Sequence, residues 1–99
     1  MEITKVSIGL IKGRHELPVE SYIFDSIEDV TDITAIESKA LDRFKQVYVR
    51  GELVIYAETG MTFALVAVLN AAIAMNWLTV VVMHFDAVNK TYFPQTIAS

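Results

Sequence analysis

The sequence contains no cysteine, two prolines, four glycines and two histidines among its 99 residues. The absence of cysteine excludes disulfide scaffolds and thiolate chemistry, and it is compatible with the cytoplasmic location that we expect. Positive charge is also scarce, because eight Lys and Arg residues stand against twelve Asp and Glu and give a net charge of -4. A chain with so few basic residues is not expected to bind duplex nucleic acid.

Charge is missing altogether from one long stretch, Thr59 to Met83. This stretch is long enough to span a bilayer. Asn70 and Asn76 interrupt it, however, and its last third is β-branched, which favours a buried helix followed by a buried strand. The amino-terminal residues lack a basic segment followed by an apolar core, so no signal peptide is predicted. We therefore expect no membrane association.

Apolar residues, in contrast, are abundant. They make up 54% of the chain, and the mean hydropathy is +0.43. The length predicts one domain over residues 1–99. The core of so short a chain has a limited capacity for apolar side chains. A buried subunit interface accounts for the surplus, so we expect a homo-oligomer, most simply a homodimer.

The order of the apolar segments predicts an α/β fold. A small Rossmann-like sheet of about four to five strands and two helices is expected, with a βαβ unit at 52–86 and a C-terminal hairpin. The expected strands are Ile3–Ile11, Leu17–Phe24, Leu53–Ala57, Leu78–Phe85 and a short Thr91–Phe93. The second helix, Phe63–Met75, is apolar nearly all round, so we expect it to be covered on several sides.

Local signals refine this outline. Thr34 and Glu37 fit a capping box for the first helix, whose apolar face would comprise Ile33, Ile36, Ala40, Phe44 and Val47. The segment 12–16 is a hairpin or loop signal, and Gly51 is a candidate turn residue. Pro18 predicts an edge strand or a late strand start, and Pro94 predicts a short last strand. Asn76 is a candidate left-handed residue at the end of the second helix.

The turn before the second helix is the first candidate site. Backbone N–H groups of Thr59, Gly60, Met61 and Thr62 at a helix start attract anions, although neither GxxxxGK[ST] nor GxGxxG is present. In the alternative interpretation, Thr59 or Thr62 merely caps the helix.

His84 and Asp86 form the second candidate site, at the end of a strand where both side chains point to one side. They could share a metal or activate a water, with Glu58 as a third group. The alternative is a packed histidine and a turn aspartate.

The loop Arg14-His15-Glu16 is a third candidate, for which a solvated tip is the alternative. A conventional hydrolase ranks last, because the sequence contains no Ser-His-Asp order of known spacing and no HExxH.

The second half of the sequence has a recognisable pattern, carried by Gly51–Tyr56, Thr59–Leu69, Val80–Asp86 and Tyr92. It resembles the small CRISPR-accessory proteins related to CARF domains, and most of all their compact ring-nuclease branch. The resemblance covers residues 51–93. It implies a compact Rossmann-like fold, dimerisation and binding of a cyclic oligoadenylate second messenger in antiviral defence, which some members cleave, some of them with manganese.

By this resemblance, Thr59, Gly60 and Thr62 would lie by phosphate and Asp86 would be the acidic site residue. Metal-dependent members carry a histidine near the end of the helix, where this chain has Met75-Asn76-Trp77. Two functions are expected. The first is binding of a nucleotide messenger across the twofold axis of a dimer, at the turn Glu58–Thr62 and the strand end His84–Asp86. His84 and Asp86 would be the catalytic residues if the messenger is cleaved. The alternative is a non-enzymatic, homo-oligomeric interaction protein of a phage or mobile element.

Overall fold

The computed structural model describes residues 4–12, 18–19, 21–29, 31–57 and 62–98. Within these ranges the chain forms five strands and two helices. In chain order they are β1 (Thr4–Ile11), β2 (Tyr22–Phe24), α1 (Ile33–Val47), β3 (Gly51–Tyr56), α2 (Thr62–Ala74), β4 (Thr79–Asp86) and β5 (Thr91–Ala98).

The strands form a single sheet in the order β2-β1-β3-β4-β5. The pairs β1–β2, β1–β3 and β3–β4 are parallel, and only the β4–β5 pair is antiparallel. The predicted α/β class, the βαβ unit and the C-terminal hairpin are confirmed. The βαβ unit consists of β3, α2 and β4, and the hairpin consists of β4 and β5.

Both helices lie on the same side of the sheet, where they pack against each other. The chain moves in one direction along the sheet from β2 to β3 and from β3 to β4. Crossovers of the same hand and direction place their helices on the same face. A hydrogen bond of 2.8 Å from the Asn70 amide to the Glu37 carboxylate joins the two helices.

The core fills the space between the helices and one face of the sheet. Each central strand contributes alternate residues to it, as the period of two requires. The largest fully buried side chains are Phe44, Ile8, Leu10, Leu53, Ile55, Val68, Val80 and Val82. The small residues Ala64, Ala67, Ala71 and Ala72 of α2 are buried as well, and they let the helix approach its neighbours closely.

The second strand differs from its prediction. Among the described residues it begins only at Tyr22, and it runs parallel to β1, with Gly9 opposite Tyr22. Of the two interpretations of the segment 12–16, the hairpin is therefore wrong, because a hairpin joins antiparallel strands. The prediction from Pro18 is confirmed, since β2 starts late and lies at the edge of the sheet.

The start of α1 also differs. Asp32, not Thr34, is the N-cap, and its carboxylate accepts a hydrogen bond from the Ala35 N–H at 3.2 Å. The first helical residue is Ile33, two residues earlier than an N-cap at Thr34 would give. Glu37 does not close a capping box, because its carboxylate accepts a hydrogen bond from Asn70. Ile36, Ala40 and Phe44 are buried as predicted, whereas Ile33 in the first turn is 46% exposed.

Two positions show why particular residues stand at the ends of elements. Gly51 is the first residue of β3 and not a turn, and a Cβ there would lie 2.0 Å from the carbonyl oxygen of Thr4 on β1. Asn76 follows α2 with a φ of 60°, which confirms the predicted left-handed residue.

The last strand is longer than predicted, because β5 continues through Pro94 to Ala98. Pro94 lies opposite Met83, whose carbonyl accepts the Ala57 N–H at 3.1 Å on the β3 side. In an extended strand the N–H and C=O of one residue point the same way, so Met83 bonds β3 and not β5. The nitrogen of Pro94 consequently faces the free edge, where no ladder bond is lost.

The expected coverage of α2 is incomplete. Phe63, Val66 and Ile73 are 58%, 61% and 52% exposed, so one side of this apolar helix faces outwards. In the part of the chain that the structure describes, no helix is both long and apolar enough to cross a membrane.

Candidate functional site

The carboxyl ends of the parallel strands form one edge of the sheet. From β1 the chain moves to β2 on one side, whereas from β3 it moves to β4 on the other. The neighbouring strands β1 and β3 are therefore a topological switch point. In open α/β sheets the crevice outside the carboxyl ends of two such strands is where ligands bind. Lys12 follows β1 at this edge, with its side chain exposed.

Two of the segments that sequence reasoning singled out adjoin this switch point along the chain. The segment 13–17, with Arg14, His15 and Glu16, follows β1, and the segment 58–61 joins β3 to α2. Glu58, Thr59, Gly60 and Met61 lie outside the described residues, as do Arg14-His15-Glu16. Thr62 is the first residue of α2 and is exposed. Thr62 thus stays a predicted ligand residue.

The carboxylate of Asp86 is held in the turn between β4 and β5. Its Oδ1 accepts hydrogen bonds from the backbone N–H groups of Val88 at 2.9 Å and Asn89 at 3.2 Å. Its Oδ2 accepts one from the side-chain amide of Asn89 at 2.8 Å. The hydrogen bond from the Asn89 side chain, followed by that from its backbone, lowers the pKa of Asp86. A carboxylate held ionised in this way is a weak proton acceptor at neutral pH.

His84 is bonded across the same hairpin. Its Nε2 lies 2.8 Å from Oε1 of Gln95, so a proton on Nε2 would donate to the amide oxygen. The imidazole ring also packs on Phe93, with ring centroids 5.4 Å apart and planes 30° apart. Because β4 alternates, His84 and Asp86 point to the side of the sheet that carries the helices, as do Val80 and Val82. The structure thus gives each residue a partner on or next to β5.

Manganese was one expectation for this edge. Among the residues that the structure describes, no group of three His, Asp or Glu side chains is placed to hold a metal ion. His84 and Asp86 each have another partner, and Glu58, the third expected ligand, lies outside the described residues. Manganese binding at this edge therefore stays a prediction.

Three aromatic rings meet on the opposite face of the sheet at the same edge, and sequence reasoning did not group them. Tyr56 and Tyr92 are 5.1 Å apart between ring centroids, with planes at 81°. Phe85 and Tyr92 are 5.3 Å apart, with planes at 58°. The alternation of β3 and β4 predicts that Tyr56 and Phe85 lie on the face opposite the helices. The pairing of Phe85 with Tyr92 depends on the hairpin register, which the sequence does not show.

A shallow cavity of about 210 Å³ lies between the end of β2 and the start of α1. Its polar lining is mainly acidic, from Glu28, Asp29 and Asp32, with Lys39 as the basic member. The Asp29 carboxylate accepts hydrogen bonds from the hydroxyl and N–H of Thr31, which lower its pKa. An anionic ligand would be repelled by this lining.

Comparisons with protein-family models, curated proteins and solved structures found no match for this chain.

Proposed function

We propose that this chain is a ligand-binding α/β module that takes an anionic, nucleotide-type ligand at the carboxyl edge of β1 and β3. One observation carries the proposal: the strand order β2-β1-β3-β4-β5 makes β1 and β3 a switch point. The N-terminus of α2 lies at the same edge, and its positive dipole end favours a negatively charged group.

The class of ligand rests on the resemblance of residues 51–93 to CARF-related proteins. A cyclic oligoadenylate is therefore the first probe to use, and antiviral defence is the setting that the proposal implies. Lys12 is a described and exposed basic side chain directly after β1 at this edge, and we expect it to contact a phosphate.

Binding is supported better than cleavage. Both assigned catalytic groups have structural partners, since Asp86 bonds Asn89 and His84 bonds Gln95. If the messenger is cleaved, its own 2′-hydroxyl loses a proton and attacks the adjacent phosphate, the P–O5′ bond breaks, and the 5′-oxygen leaves and takes up a proton. This step needs mainly orientation and charge stabilisation from the protein. His84 and Asp86 would then have to break their hydrogen bonds to Gln95 and Asn89, or contact the messenger while keeping them.

The test is a panel of labelled cyclic oligoadenylates of different ring size, incubated with the protein with and without manganese. Retention on a native gel and formation of linear product are both measured. Lys12→Ala should weaken retention, whereas Lys45→Ala, in the last turn of α1 and so towards the opposite edge of the sheet, should leave it unchanged. Absence of retention at micromolar protein would overturn the proposal.

The second candidate function is that of a non-enzymatic, homo-oligomeric interaction protein. It is favoured by the outward apolar side of α2, where Phe63, Val66 and Ile73 are more than half exposed. This candidate predicts that the chain self-associates without any nucleotide. It also predicts that self-association is unchanged when His84 and Asp86 are both replaced by alanine. Self-association together with a negative ligand panel would place it first.

A further inference from the structure

We infer that α2 is a self-association surface on which the α2 helix of a second copy packs antiparallel. The surface, here called the α2 stripe, consists of Phe63, Val66, Asn70 and Ile73. All four are exposed and recur at the helical spacing of three, four and three residues. The inference does not depend on the nucleotide ligand proposed above, but it rests on the second candidate function, whose surface it defines.

The α2 stripe has the size that an interface centre requires. Phe63, Val66 and Ile73 are 58%, 61% and 52% exposed. Together they present roughly 300 Å² of apolar surface, which is the size of the largest apolar patch on a typical small protein, a patch that is often functional. Two stripes face to face would bury about 600 Å², so the polar residues around them would have to bury about as much again to reach about 1,200 Å², the lower end of specific interfaces.

The spacing of the α2 stripe is self-complementary. The intervals of three, four and three residues are the same when read in either direction. Around a twofold axis perpendicular to the helix, Phe63 therefore lies opposite the partner's Ile73, and Val66 lies opposite the partner's Asn70. A surface that meets itself in this way forms a closed, isologous dimer.

Few charges lie at this contact. No residue of α2 is charged, and the acidic group beside the stripe is the Glu37 carboxylate of α1, which accepts the hydrogen bond from Asn70. The polar member, Asn70, already donates its amide to Glu37 of α1 at 2.8 Å. One amide hydrogen thus remains satisfied when water is excluded, and a single polar residue among apolar ones helps to fix helix register.

The alternative route to a dimer, pairing of two β5 edges into a continuous sheet, is impeded. The nitrogen of Pro94 faces the free edge in the middle of β5 and has no hydrogen to donate. The α2 stripe is therefore a better surface for a second copy than the β5 edge.

Sedimentation velocity tests the inference by comparing the oligomeric state of the wild-type chain with that of two variants, one with a charge in the stripe and one with a charge outside it. We expect the wild-type chain to be a dimer at micromolar concentration without ligand, and Val66→Glu to weaken self-association by about tenfold or more. Val88→Glu is the control, because Val88 is 90% exposed in the β4–β5 turn and lies outside the stripe. A monomeric wild type, or a folded Val66→Glu chain that dimerises like the wild type, would overturn the inference.

Cysteine cross-linking tests the antiparallel register, and it decides the matter if Val66→Glu fails to fold. The chain contains no native cysteine, so each introduced thiol is unique. A mixture of Val66→Cys and Asn70→Cys chains should form the mixed disulfide faster than either chain forms its own, and Val88→Cys should not cross-link. Preferential cross-linking of each variant to itself, or equal rates for all three, would contradict the antiparallel contact.

Discussion

The side-chain amide of Asn89 donates a hydrogen bond of 2.8 Å to the Asp86 carboxylate across the β4–β5 turn. The backbone N–H groups of Val88 and Asn89 bond the other carboxylate oxygen. Three donors on one carboxylate make Asp86 an organiser of the turn. They also lower its pKa, so its contribution to stability depends on pH.

The first prediction concerns this pH dependence. Because the folded-state pKa of Asp86 lies below its unfolded value, the stabilisation is fully present above the unfolded pKa and is lost as the pH falls through the folded one. Asp86→Ala should therefore lower the free energy of unfolding at pH 7, and the difference from wild type should shrink below about pH 4. Urea unfolding of both chains between pH 7 and pH 2 measures it.

Asp25→Ala is the control for this series, because Asp25 is exposed and no hydrogen bond involving its side chain is found in the described part of the chain. Its free energy of unfolding should follow that of wild type throughout. A difference between wild type and Asp86→Ala that stays constant down to pH 2 would show that the carboxylate charge does not hold the turn.

Gly51 is the subject of the second prediction. A Cβ at this position would lie 2.0 Å from the carbonyl oxygen of Thr4 and 2.9 Å from its carbonyl carbon. Both are backbone atoms of the paired strand, so relief requires β1 and β3 to separate locally. Gly51→Ala should therefore lower the free energy of unfolding by about 3 kcal/mol, at the upper end of the usual cost of overpacking.

Chemical denaturation measures this loss, and Ser7→Ala on exposed β1 surface is the control, expected to change stability by less than about 0.5 kcal/mol. If Gly51→Ala were as stable as wild type, the close approach of β3 to Thr4 would be wrong.

The third prediction uses the left-handed residue after α2. Asn76 has a φ of 60°, a conformation that glycine and asparagine tolerate and that costs other residues about 1 kcal/mol or more. Asn76→Ala should destabilise the protein by about 1 kcal/mol, whereas Asn76→Gly should be close to neutral. Thermal unfolding of the two variants separates them, and equal midpoints would contradict a positive φ at this position.

Two long apolar elements could be predicted from their composition. The run before Asp86 is β-branched, which favours a strand, and the segment before Asn76 is rich in alanine and leucine, which favours a helix. The left-handed Asn76 follows from local chemistry, because few residue types tolerate that conformation. Local signals failed where two residues compete for one role. Asp32 and Thr34 can both cap a helix, and only packing decides between them.

Features that depend on distant pairing could not be predicted. The three residues of β2 carry little pattern, so their parallel alignment with β1 follows from the tertiary fold. The helix α2 is apolar all round, and its composition does not show that Val66 faces outwards. At the candidate site, the sequence placed His84 and Asp86 on one side of a strand. Their bonds to Gln95 and Asn89 depend on the hairpin register and turn geometry.

The fourth prediction comes from the length of β5, which Pro94 does not limit. Met83 bonds β3 through its carbonyl, so the residue opposite it on β5 directs its nitrogen to the free edge. Proline at this position removes the one donor that an incoming strand would use there, which is a known protection of sheet edges. Pro94→Val should restore that donor and raise the aggregation rate on gentle heating, as measured by light scattering. Thr96→Val is the matched control, because it adds the same side chain to the exposed part of β5 without adding a donor. If both variants aggregated equally fast, the added hydrophobicity and not the backbone donor would be responsible.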